Sequence, residues 1–232
     1  MSKKIHSMFS DIHNDYDRMN HVFSMGIDIL WRKAAADEAL LEKNPYRILD
    51  MACGTGDSTI QLYKTAARNG KDVEVVGLDF NEDMLKVAKE KVKGKGIHGI
   101  SFELGDVLST KFESGSFDVI ASAFAIRDFD DAGKFVEESK RLLKDGGKVV
   151  FLDMAMPDDA FRRAFFRQYF KFLKAVGSTV NKGAYNFLFD SIMEFDKKGL
   201  VATIKKKGFS NVRVRNLQSG IGFVVSGEKR RP

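Results

Sequence analysis

Between Arg47 and Met154, apolar runs of five to eight residues alternate with amphipathic segments of helix length. No other feature of the chain constrains its fold as tightly. Arg47–Ala52 (RILDMA) is the first run, and Gly54-Thr55-Gly56 breaks it. A helix is predicted over Asp57–Asn69, then a strand over Val73–Leu78 that ends at Asp79. Asn81 is read as the cap of a helix reaching about Lys93, because a short Asx side chain can accept from free first-turn amides. Strands are predicted at Ile100–Leu104 and Phe117–Phe124. Between the latter and a strand at Lys148–Met154, a helix over Asp130–Lys144 is expected to close at Asp145-Gly146-Gly147, where glycine supplies a left-handed exit. Such alternation means a parallel sheet covered on both faces, with right-handed crossovers.

The rhythm stops after Pro157. Residues 158–197 read as a helical insertion, and Leu200–Lys207 as a last helix. Val212–Leu217 and Ile221–Val225 flank a connection too short for parallel pairing, so a terminal antiparallel hairpin is expected. Ahead of the sheet, residues 1–44 read as mostly helical, with Phe9, Ile12, Tyr16 and Met19 at helical spacing. The 232 residues suit one domain. The hydrophobic fraction of 44% excludes disordered and fibrous classes. The longest uncharged stretch, Asn216–Gly227, has 12 residues, too few to span a bilayer. A single cysteine, Cys53, points to a reducing, cytoplasmic setting. The four histidines are scattered, so no metal site is expected.

In open α/β sheets ligands gather at the carboxyl ends of strands. Three such ends carry a glycine loop or an acid: Asp50 with Gly54 and Gly56, Asp79, and Gly105-Asp106. Asp79 can accept both hydroxyls of a ribose. Position 59 is Thr rather than the third glycine of a dinucleotide loop, and no Gly-Lys-Ser/Thr follows. A nucleoside without phosphates, carrying positive charge as S-adenosylmethionine does, fits these acids better.

The succession DMACGTGD, VVGLDFNEDML, GD, FDVIASAFAIRDF and LLKDGGKVVFLD resembles class I S-adenosylmethionine-dependent methyltransferases. More narrowly, the chain is similar to the ubiquinone/menaquinone biosynthesis C-methyltransferase family. That likeness rests on Phe9–Asn20, Ser24–Lys33, Phe124-Ala-Ile-Arg127, Tyr185–Ile192 and the tail from Gly208-Phe209 to Gly220. It implies a Rossmann-like α/β fold with a mostly parallel seven-stranded sheet of order 3-2-1-4-5-7-6. The N-terminal helices would form a lid, and residues 158–197 part of an acceptor site.

The resemblance also implies the site. Gly54, Thr55, Gly56, Asp79, Asp106 and Val107 would hold S-adenosylmethionine, with Asp50 and the loop amides facing its methionine part and Met84 lying against the adenine. Ala123 would join them, at a position where the family often has Ser. The implied reaction methylates a ring carbon of a polyprenyl quinol precursor and leaves S-adenosylhomocysteine. Arg127 is the candidate for stabilising a ring phenolate and Tyr16 for closing the lid. Their alternatives are a surface bridge from Arg127 to Asp128 or Asp130, and plain packing for Tyr16. The family's Asn after the Arg is Asp128 here, and its Gly before Leu-Arg is Ala125. Methylation of a small soluble metabolite at O or N, or a non-catalytic cofactor-binding module, are the rival readings.

Phe161, Phe165, Tyr169, Phe172, Leu173 and Val176 recur on one helical face, with Arg162, Arg163, Arg167, Lys171 and Lys174 around it. With a net charge of +6, that basic, aromatic helix suits either an anionic membrane surface, from which a lipid-tailed acceptor would be drawn, or a cap on the sheet. Homodimerisation is compatible with the sequence. Nucleic acid is not an expected partner.

Overall fold

Strands apolar at successive positions must bury both faces, and the computed structural model bears out how this chain does so. It describes residue 24, residues 26–129 and residues 131–231, with side chains other than those of 172–186 and 219. Helix α1 (Ile27–Glu38) precedes β1 (Tyr46–Met51), α2 (Asp57–Arg68), β2 (Val73–Asp79), α3 (Glu82–Gly94), β3 (Ile100–Leu104) and β4 (Phe117–Ala123). A short 3-10 turn (Ile126–Asp128) leads to α4 (Ala132–Leu142), β5 (Leu143–Met154), α5 (Ala160–Glu194), α6 (Lys197–Lys206), β6 (Phe209–Leu217) and β7 (Gly222–Lys229). The sheet order is β3-β2-β1-β4-β5-β7-β6. β7 runs antiparallel between β5 and β6, so the fold is the one the sequence implied.

Period-two alternation sorts the core. Ile48, Val75, Val119 and Val150 face one side, where Trp31 of α1, Leu62 of α2 and Phe170 of α5 cover them. Leu49, Val76, Ile120 and Phe151 face the other, under Phe135 of α4 and Leu200 and Ile204 of α6. Each such side chain, fully buried, contributes roughly 1.5–3 kcal/mol. α1 is seated by contact: a Cβ at Gly222 would lie 2.9 Å from the Trp31 ring, so β7 has glycine where the indole rests.

Two predicted features are corrected. α4 ends at Leu142 rather than at Gly146-Gly147. Leu143 turns extended and pairs with Phe117, and the next paired residues are Val119 and Lys148. Burial of Leu143 in the sheet outweighs one more helical turn, and Gly146 (φ 78) serves the resulting bulge instead. The insertion is a single helix of 35 residues, roughly 50 Å long at 1.5 Å per residue. Its aromatic residues divide differently from the predicted stripe. Phe166 and Phe170 pack on the sheet with Tyr169, while Phe161 and Phe165 point to solvent. Phe172, Leu173 and Val176 lie outside the described side chains. Among the described residues no helix is long and apolar enough to cross a membrane. Tyr16, the Phe9–Asn20 motif, most of the expected lid and Asp130 lie outside the described residues.

Candidate functional site

The carboxyl ends of β1, β2 and β4 meet at one edge of the sheet, and the loop after β1 is built to stay there. Ala52 (φ 60), Gly54 (φ 53) and Gly56 (φ 81) turn it in left-handed steps. The Gly54 amide donates to Asp79 Oδ2 at 2.8 Å, which ties the loop to the end of β2. Asp79 Oδ1 accepts from the Asn81 amide at 2.9 Å. Asn81 in turn caps α3 by accepting from the Asp83 and Met84 amides, as its position in the sequence foretold. A Cβ at Gly56 would lie 3.0 Å from Ala88 Cβ, whereas one at Gly54 would meet nothing within 4 Å. Gly56 is therefore glycine for conformation and packing, and Gly54 borders open space.

That space is a crevice of about 440 Å³ lined by Gly54, Asp79, Met84, Ala123, Phe124 and Asp128 among others. Asp79 is 5% exposed, and each of its oxygens has already accepted one amide. A carboxylate can accept from hydroxyls as well as from amides, with about four acceptor sites in all. Met84 presents a buried apolar wall. Thr55 is buried, while Asp106 is exposed and accepts from the Leu108 amide at 2.9 Å. Val107 packs in the core. These three are not among the crevice-lining residues.

Ala123 also lines a second, smaller cavity of about 260 Å³ on the other side of β4, with Arg32, Asp50, Ser58 and Ser122. Asp50 is 1% exposed. Its Oδ2 accepts from Thr59 Oγ1 at 2.7 Å; among the described residues its Oδ1 has no hydrogen-bond partner, nor has Ser122 Oγ. Burial pushes the Asp50 carboxyl up to about 7, against the Thr59 hydrogen bond and the Arg32 charge and reinforced by Asp79. Arg32 donates to Ser58 Oγ and to Asp28, and its guanidinium lies 4.8 Å above the Phe124 ring. Helix α1 thereby reaches into the site.

Burial also raises the Cys53 thiol well above its usual range, with Asp79 and Asp50 adding to the effect. Cys53 is a packing residue, not a thiolate. Beside it, a Cβ at Gly77 would fall 2.6 Å from the Phe102 ring and 2.9 Å from Cys53 Sγ, so β2 carries glycine where the loop crosses it.

Arg127 departs from its expected surroundings. It is buried, at 6% side-chain exposure, not on a surface bridge. Its guanidinium donates to Asp153 Oδ1 and, at 3.3 Å, to Ser191 Oγ, and its amide donates to Asp153 Oδ2 at 3.2 Å. Asp128 is the weaker partner, with Oδ1 3.7 Å from Arg127 Nε. The sequence reading missed Asp153, Ser122, Arg32 and Gly77. Only Asp153, at the end of an apolar strand, bore a local signal.

Residues 1–229 match the ubiE/COQ5 methyltransferase family. The demethylmenaquinone methyltransferase of Deinococcus radiodurans is 38% identical over 229 residues, covering 97% of this chain and 92% of that protein. The ubiquinone/menaquinone biosynthesis C-methyltransferase UbiE of Geotalea daltonii is 36% identical, covering 98% and 97%. Among solved structures, a SAM-dependent methyltransferase of Thermotoga maritima aligns with a TM-score of 0.69 at 17% identity, covering 97% of this chain and 99% of the other. Phosphoethanolamine N-methyltransferase 2 of Haemonchus contortus, solved with S-adenosyl-L-methionine, aligns with a TM-score of 0.64 at 18% identity, covering 86% and 52%. These two share the fold. The chain belongs to the ubiE/COQ5 methyltransferase family and is an S-adenosylmethionine-dependent methyltransferase.

The residues present fit that cofactor. Among the described residues two buried polar atoms without partners, Asp50 Oδ1 and Ser122 Oγ, belong to residues lining the smaller cavity. Acids ring the loop, and its sequence has neither a third glycine at position 59 nor a Gly-Lys-Ser/Thr, so a cationic nucleoside matches these acceptors. The Asp50 carboxyl titrates far above its unfolded value of 3.8. Between about 4 and 7 the folded state therefore holds the extra proton, and this group's contribution to stability falls as pH rises through that window. Affinity for S-adenosylmethionine moves the other way, increasing as pH climbs through about 7. Asp50→Asn is expected to raise the melting temperature more at pH 8 than at pH 4, and to flatten the pH dependence of binding. Paired melting and calorimetric series check this; a variant that keeps the wild-type pH dependence contradicts it.

Proposed function

We propose that this member of the family transfers a methyl group from S-adenosylmethionine to a ring carbon of a polyprenyl quinol precursor, demethylmenaquinol-like or ubiquinol-precursor-like. The observation that carries the reading is the full-length match to relatives whose names specify that acceptor class. The donor supplies an electrophilic methyl group on a sulfonium. The remaining work belongs to the chain.

In this reading Asp79 would accept the ribose hydroxyls and Met84 would lie against the adenine; Asp106 and Val107, which do not line the crevice, are left without a contact to it. The Gly54–Gly56 turn would border the methionine part, although the Gly54 and Gly56 amides are taken by Asp79 and the Cys53 carbonyl and do not hold it as the resemblance implied, and Asp50 would receive the amino group. Ala123, which lines both cavities, would border the donor where they meet. Phe124, held at φ 62, and Ala125 form an apolar wall for a flat ring. A non-glycine residue in that conformation costs of order 1–3 kcal/mol, which the sheet bond from its amide to Leu152, at 2.8 Å, helps to maintain.

An electron-rich ring held in line with the methyl in a dry crevice needs little further chemistry. Orientation alone can supply roughly 7–11 kcal/mol of barrier reduction. The charge of Arg127 is met by Asp153, so we assign Arg127 the holding of the Ile126–Asp128 turn beside the ring. To Tyr16, which lies outside the described residues, we assign the contact with the ligands that the family resemblance implies.

The prenyl tail needs an apolar path and a source. Phe161 and Phe165 stand 83% and 63% exposed at the start of α5, among the exposed Arg162, Arg163 and Arg167. We assign this end of the helix to peripheral contact with an anionic membrane, the enzyme itself being cytoplasmic, and the body of α5 to the acceptor site.

A turnover screen with labelled methyl donor tests the acceptor. Demethylmenaquinol with a short prenyl tail is expected to accept the label at carbon, well ahead of soluble phenols and amines. Methylation confined to a soluble metabolite, or to an oxygen or nitrogen, contradicts the reading. For the membrane contact, a Phe161→Ser and Phe165→Ser double variant is expected to lose most co-sedimentation with vesicles containing anionic lipid. Undiminished binding would sink that assignment.

A further inference from the structure

The crevice has one acid that cofactor binding does not use. Asp128 lies on its wall beside Phe124 and Ala125, 6% exposed. Among the described residues its Oδ1 has no hydrogen-bond partner, and the 3.7 Å separation from Arg127 Nε is an ion-pair distance beyond hydrogen-bond reach. The stronger arm of Arg127 is taken by Asp153, so one guanidinium faces two buried carboxylates. Buried carboxylates in excess of their cations must either desolvate a charge or hold a proton. A proton taken up by this group would rest on Asp128, the acid whose oxygen is left over, on the crevice wall.

We propose that Asp128 is the catalytic base, taking the proton of the acceptor's ring hydroxyl as the ring attacks the methyl group. This deepens the quinol reading above and rests on it. The ring O–H bond breaks, its proton passes to Asp128 Oδ1 and its electron pair moves into the ring. The ring carbon forms a bond to the methyl carbon while the C–S bond breaks and leaves its pair on sulfur. The methylated carbon then releases its hydrogen to water as a proton, and Asp128 returns its own proton to the ring oxygen. One proton reaches solvent and the enzyme is restored.

The surroundings suit the task. Burial pushes the Asp128 carboxyl up to about 6, with the Arg127 charge opposing, the Asp153 charge reinforcing and the neutral Ser191 hydroxyl of α5 opposing. A base with that affinity is ionised at neutral pH yet binds a proton far better than a surface carboxylate does.

The test compares wild type with Asp128→Asn, a substitution of equal size. With S-adenosylmethionine saturating, which removes the ionisation of Asp50 from the profile, wild-type kcat/KM for short-tailed demethylmenaquinol is expected to rise about tenfold per pH unit up to about 6 and then level off. The variant should lose that limb and about 100-fold or more of the plateau, as the loss of a general base does. Its calorimetric affinity for S-adenosylmethionine should stay within twofold. On the protein without acceptor, infrared difference titration should show a protonated-carboxyl band that disappears near pH 6 in wild type and is missing in the variant. A variant that keeps the pH limb, or the band, overturns the proposal. Wild type that methylates a soluble phenol but not the quinol fails the acceptor reading alone, and the same pH comparison is then decided on that phenol. An enzyme that binds S-adenosylmethionine but methylates neither overturns both.

Discussion

One hydrogen bond, from the Gly54 amide to the Asp79 carboxylate, joins the loop after β1 to the end of β2, and the site follows from it. It fixes where the loop crosses the sheet edge, so Gly56 can cap α2 against Ala88 and Phe102. It keeps Asp50, which pairs in register with Gly77, at the floor of the smaller cavity. The crossing is feasible because Gly77 has no side chain to collide with Cys53 and Phe102. A parallel pair of strands, a missing side chain and one charged acceptor together produce a ligand edge that neither strand could form alone.

Charge is unevenly settled around this edge. Asp79 is stabilised by two backbone amides. Asp50 and Asp128 each keep an oxygen without a hydrogen bond and are pushed toward neutrality by burial. A structure selected for stability alone would replace both with neutral residues, since buried ionisable groups seldom strengthen a fold. Asp50 lines the smaller cavity and Asp128 the crevice, and the roles proposed for them are correspondingly separate: a cation at Asp50 and a proton at Asp128. Arg127 and Asp153 lie between sheet and α5 as the fixed pair that orients the second.

Features encoded locally were legible from the sequence. Apolar runs located the strands of the parallel sheet to within one or two residues, apart from the start of β5, and Asn81 announced the start of α3 because its side chain acts on amides two and three residues away. The glycine loop and Asp79 could be read because chain order places them at adjacent strand ends. What escaped depends on long-range choices. The start of β5 was hidden because Leu143 pairs with Phe117, 26 residues earlier, in preference to extending a helix. The face of α5 was misjudged because a helix with aromatic residues on several sides leaves the choice to the surface it meets, and the sheet took Phe166 and Phe170. Arg32 and Ser122 entered the site through packing between α1 and β4, which has no periodic signature.

The account stands on the acidic, glycine-lined edge holding an adenosyl sulfonium through Asp79. Calorimetric titration of wild type and Asp79→Ala with S-adenosylmethionine tests it most directly. Saturable binding by wild type, weakened tenfold or more in the variant, is the predicted result, in line with about 1–3 kcal/mol for a lost charged acceptor. Equal affinity in the two proteins, or no heat of binding in wild type at high ligand concentration, would contradict it.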